Sequence, residues 1–121
     1  MTSAFLQLCQ RLFNAANDLD QRPRWPAEQL QWLSEADVLR WFISPDYGGA
    51  DYGGTGRSEA ELLEAYLALS QNCLTTTFVL TQWHAAVRRI AASENAAVKQ
   101  QWLPKLADGQ AFATVGISHL S

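Results

Sequence analysis

Apolar residues three and four positions apart recur through most of this chain, and that period commits it to helices packed on one another. Phe5, Leu8, Leu12, Ala16 and Leu19 make one stripe, widened by Cys9 and Phe13, so an amphipathic first helix is predicted over residues 3–19. Residues 20–24 read as a connection. Pro26 suits the first turn of a second helix, where its missing N–H would be unpaired anyway, and Leu30, Leu33 and Val38 supply the apolar side. Asp37 stands where that helix should stop, since Asp tolerates the left-handed conformation. Trp41, Phe42 and Ile43 form a short apolar run expected to plug into the core ahead of Pro45.

Further along, Ser58 is followed three residues later by Glu61, the pattern of a capping box. Leu62, Leu63, Tyr66, Leu67 and Leu69 then carry a third helix to about Gln71. A break over residues 72–77 leads to Phe78, Leu80, Trp83, Val87 and Ile90, apolar on most of the helical circumference, so the fourth helix is expected to be the central one. A fifth is predicted from Ser93, with Val98, Trp102, Leu103 and Leu106 inward, Pro104 interrupting or kinking it and Asp108-Gly109 ending it. The expected fold is an all-α, up-down bundle of about five helices.

Five of the seven glycines crowd into FISPDYGGADYGGTG, between the second and third helices. Their spacing matches neither a dinucleotide fingerprint nor a P-loop, and no Lys-Ser/Thr pair closes the run. The stretch therefore reads as a structural loop that reverses the chain and packs its Tyr rings. Asp46, Asp51, Glu59, Glu61 and Glu64 cluster near it, and capping and solvation account for them.

A formal charge of −3 with no Lys/Arg stripe excludes a nucleic-acid binder. Cys9 and Cys73 form no C-x-x-C and lie on apolar helical patterns, so both are read as buried thiols of a cytoplasmic protein. Two distant histidines, His84 and His119, make no metal cluster. His84 titrates near neutrality, but with nothing in the sequence to orient it, it reads as a packed or surface histidine. No apolar run approaches the length of a membrane span or of a signal-peptide core.

From Ala111 the character changes. In AFATVGI the helical period is gone, and Phe112, Thr114, Val115 and Ile117 favour a strand. A strand needs a partner for its backbone, so the sequence reads as cut where a sheet should follow. Residues 1–110 are expected to be the helical domain, and 111–121 the start of a β domain.

These segments together resemble the N-terminal helical domain of the acyl-CoA dehydrogenase family. VLRWFISPDYGGADYGG is similar to the family's loop after its second helix, a Pro-acidic-Tyr-Gly-Gly followed by another Gly. KQQWLPKLADGQ matches the Lys-x-x-Trp/Tyr-Leu-Pro-x-Leu-x-x-Gly segment that leads into the first strand of the β domain, where AFATVGIS stands here. The resemblance implies a flavoenzyme of fatty acid metabolism. FAD would accept a hydride from the β-carbon of an acyl-CoA thioester while a carboxylate, which lies in a C-terminal domain, removes the α-proton. It also implies an electron acceptor and a homo-oligomer.

By the same resemblance, Val115, Gly116, Ile117 and Ser118 would face the flavin, with His119 and Leu120 replacing the family's Glu-Pro after the hydroxyl residue. The fourth helix would form one wall of the acyl cavity through Thr77, Phe78, Thr81, Gln82 and Ala85, a row more mixed than such a wall needs. The chain alone is expected to bind no FAD and to be inactive. Two other readings share the pattern: a flavin-dependent monooxygenase or oxidase of the same superfamily, and a free-standing helical module that binds a protein partner.

Overall fold

The computed structural model describes residues 2–50 and 58–115. Five α-helices account for most of them: α1 (Ser3–Gln21), α2 (Ala27–Glu35), α3 (Glu59–Asn72), α4 (Leu74–Ala91) and α5 (Ala96–Asp108). Two 3₁₀ turns, Leu39–Phe42 and Pro45–Tyr47, lie between α2 and α3, and no strand occurs among the described residues. The expected strand is absent over residues 111–115, the remainder of that stretch lying outside the described residues. With no neighbouring strand to take its backbone bonds, this segment packs by side chains instead. Phe112 lies edge-on to Trp25 at 5.6 Å and near-parallel to Trp83 at 6.3 Å.

Helix α1 begins where Thr2 Oγ1 accepts the Phe5 N–H at 3.2 Å. It buries Phe5, Leu8, Cys9, Leu12 and Leu19 against α2 and α3. Phe13, expected to widen this stripe, is 59% exposed, because the buried arc closes on the Cys9 side.

Pro26 precedes the first residue of α2 instead of lying in its first turn, and its carbonyl accepts the Leu30 N–H at 2.9 Å. The other end is a Schellman motif. Asp37 takes φ 62°, its N–H donates to Ser34, and the Val38 N–H donates back to Leu33. Leu33 and Val38, the apolar pair such a cap brings together, are both fully buried.

Trp41, Phe42 and Ile43 then enter the core as the sequence led one to expect, and Leu39 joins them. Of the glycine loop, residues 51–57 lie outside the described residues. In the described part Tyr47 packs partly against the core, and Arg40 spans the loop base, donating to the Gly48 carbonyl at 2.6 Å. Gly49 is required by space: a Cβ there would strike the Ile43 carbonyl.

The capping box at α3 is present, Ser58 Oγ accepting the Glu61 N–H at 3.2 Å and the Glu61 carboxylate accepting the Ser58 N–H. The break between α3 and α4 is Cys73 alone, not residues 72–77. Three consecutive threonines look like poor helix formers, but Thr77 Oγ1 donates to the Cys73 carbonyl at 2.9 Å and Thr76 Oγ1 contacts Cys73 Sγ at 3.1 Å. The first turn of α4 thus uses its own hydroxyls.

Helix α4 packs against α2, α3 and α5, burying Thr76, Thr77, Leu80, Trp83, Ala86 and Val87. Helix α5 starts at Ala96 rather than Ser93, because Asn95 Oδ1 accepts the Val98 N–H at 3.2 Å and so fixes the cap. It runs through Pro104 without a break, with Leu103, Leu106 and Ala107 buried and Trp102 41% exposed. Gly109 ends it at φ 82°, where a side chain would also collide with Ser34. Ser34 Oγ donates to the Asp108 carbonyl at 3.1 Å and ties this end to α2.

Candidate functional site

Helix α4 carries every position that sequence reasoning assigned to an acyl wall. At 100° per residue, Phe78, Thr81, Gln82 and Ala85 fall on the side of α4 opposite Leu80, Trp83 and Val87. Phe78 is 63% exposed, and Thr81 turns its hydroxyl back to the Phe78 carbonyl at 2.6 Å. Gln82 and Ala85 are half-buried. Thr77, one residue before Phe78, lies on the inner side with its hydroxyl already used. The structure therefore brings four of the five positions to one outward flank and places the fifth behind it. Leu74 extends the flank, while Leu63 and Leu67 of α3 are likewise more than half exposed.

Between α3 and α4 lies an open groove of about 670 Å³, walled by Phe42, Leu62 and Leu63 and lined by the polar groups of Tyr66, His84, Arg88 and Glu59. Within it the Tyr66 hydroxyl and His84 Nδ1 are 3.0 Å apart, and the His84 ring lies 4.4 Å from that of Phe42. His84 therefore does have an orienting partner, contrary to the expectation from sequence. The partner sits on another helix, 18 positions away, where no local pattern could point to it. Burial, and secondarily the Arg88 guanidinium, pushes the imidazole below its ordinary value, so it is neutral at physiological pH.

Other candidates do no chemistry. Cys9 and Cys73 are buried free thiols, and burial pushes Cys9 up, away from the nucleophilic thiolate. No group of three His, Cys, Asp or Glu residues able to hold a metal occurs among the described residues. Glu61 is engaged in its capping box and Asp46 sits in an exposed turn, while Asp51 lies outside the described residues. No described helix is long and apolar enough to cross a membrane.

Of the four positions implied for a flavin, Gly116, Ile117 and Ser118 lie outside the described residues, as do His119 and Leu120. Val115 is half-buried and offers neither hydroxyl nor charge. An isoalloxazine needs fixed donors at its edge, and the residues in view do not form such a site.

Compared with known protein families, residues 3–110 match the family described as acyl-CoA dehydrogenase, N-terminal domain. Comparison with curated proteins and with solved structures gives no significant match.

Proposed function

The chain belongs to the acyl-CoA dehydrogenase family, carrying its N-terminal domain, and on that premise we propose that it is the helical part of a flavin-dependent enzyme that dehydrogenates acyl-CoA thioesters between the α and β carbons. Full-length members of the family use FAD. The redox chemistry would come from that group, and the α-proton would be taken by a carboxylate supplied outside these residues. No described residue performs either step, so the 121-residue chain alone is read as inactive.

Its part is to shape the substrate. The observation that carries this reading is the outward flank of α4. A chain that buries Leu80 and Trp83 completely leaves Phe78 63% exposed two positions before Leu80. An aromatic ring held outside a closed core, beside Thr81, Gln82 and Ala85, is suited to the wall of an apolar cavity with a few polar groups. The exposed Leu67 and Leu74 support the docking of further domains, or of a second copy, on the same side.

The test is Ala85→Phe in the complete enzyme, read as kcat/KM against acyl chain length. The added ring would fill space needed by the distal methylenes, each displaced CH₂ forfeiting about 0.8 kcal/mol of burial, or roughly fourfold in kcat/KM. Long acyl-CoAs should lose activity while short ones hardly change. An equal drop at all lengths, or a fall in thermal stability with no change of preference, would put Ala85 in the helical core and remove this wall.

A further inference from the structure

The groove between α3 and α4 has a composition that packing does not explain. Arg88 is exposed, and its side chain makes no ion pair or hydrogen bond among the described residues, although Glu59 lines the same groove. The same groove has apolar lining, with Phe42 and Leu62 buried and Leu63 60% exposed. His84 lines it as well. The phenol is the stronger acid of the Tyr66–His84 pair, so its O–H donates to Nδ1 at 3.0 Å and the ring proton resides on Nε2. The imidazole is held in place and has a donor left over.

We propose that this groove binds a small carboxylate with an apolar tail, its oxygens taken by Arg88 and the Nε2–H of His84 and its tail by Phe42, Leu62 and Leu63. The charges favour a monoanion. A neutral imidazole and one guanidinium supply a single positive charge, and Glu59 at the rim opposes a second negative one. The planar guanidinium fork matches a carboxylate, and the apolar lining of Phe42, Leu62 and Leu63 is the part that would take a tail. The site lies on the α3 side of α4 and does not depend on the outward flank forming an acyl wall.

The experiment titrates the isotopically labelled 121-residue chain with octanoate, acetate and octyl phosphate, following the His84 ring by NMR. Octanoate should shift the ring signals saturably and raise the pH at which His84 titrates, because the bound anion offsets the field of Arg88. Arg88→Gln should weaken octanoate roughly tenfold or more. Leu63→Ser should weaken octanoate and leave acetate unchanged, and Glu59→Gln should strengthen both. Arg88, Leu63 and Glu59 are all exposed, so these variants keep the fold, which the unchanged melting temperature verifies. Acetate binding as well as octanoate, octanoate binding unaffected by Arg88→Gln, or octyl phosphate binding tightest would each overturn the proposal.

Discussion

The two sides of α4 obey different rules. On the inner side Leu80, Trp83 and Val87 are shut away among α2, α3 and α5, and the Trp83 Nε1–H finds no acceptor among the described residues. On the outer side Leu74 and Phe78 are 71% and 63% exposed, and threonine and glutamine separate the apolar positions. Composition alone does not settle which side is buried, since each carries large apolar groups together with threonine. What differs is whether a neighbouring element completes the contact. The inner side makes the fold, and the outer side is what the fold makes available.

The largest expected effect tests that division directly. Leu80→Ala should destabilise the chain by about 2–5 kcal/mol, because a fully enclosed side chain leaves a cavity that rigid neighbours refill only in part. Phe78→Ala removes a bigger side chain, yet should change stability by no more than about 0.5 kcal/mol. Urea unfolding of the two variants reads the difference. Comparable losses would mean that the outer side is also load-carrying, and the functional reading of the flank would go with it.

How far this division could be read from sequence depends on what each residue bonds to. The stripes on α1, α2 and α5 were legible because their partners are simply the rest of the core. Asp37 and Ser58 were legible because their caps close within a few residues. The single-residue break at Cys73 was not, since propensity argues against three threonines in a row, and the partners their hydroxyls find, the Cys73 carbonyl, Cys73 Sγ and Asp20, appear only in the folded chain. Nor was the side chosen by Thr77 and Phe78. Adjacent residues on a helix differ by 100°, and the row assigned by resemblance spans the boundary. The Tyr66–His84 contact needs two helices already packed, so nothing in either segment announces it. The described part of the AFATVGI stretch differs for the opposite reason: its β propensity is real, but residues 111–115 have no strand beside them among the described residues.

A smaller effect sharpens the comparison by separating exposure from consequence. Ser58 is exposed, as Phe78 is, yet it holds the first turn of α3 through its bond from the Glu61 N–H. Ser58→Ala should cost about 1 kcal/mol, more than Phe78→Ala despite the far smaller area. Equilibrium unfolding checks it. If the two variants rank the other way, hydrophobic contact on the flank outweighs capping, and the flank is not free.

The smallest effect lies at the seam between the two sides, at His84. Its ring packs on Phe42 and accepts from Tyr66, while Arg88 and Glu59 are the charged groups facing the same groove. Burial first, then Arg88, pushes its titration below the ordinary value of about 6.5, so the unfolded chain takes up the proton before the folded one. Stability from the neutral ring is therefore fully present above about pH 6.5, declines as pH falls toward the folded value, and is constant below it. His84→Gln has no such proton to take up. The gap in melting temperature between wild type and His84→Gln should narrow on going from about pH 7.5 to about pH 5. The change should be slight, because solvent reaches the half-exposed ring and screens Arg88. A gap that widens instead would mean that Glu59 swings in to pair with the imidazolium. The seam would then belong to the outer side, governed by exposed charges, and not to the core on which α4 is built.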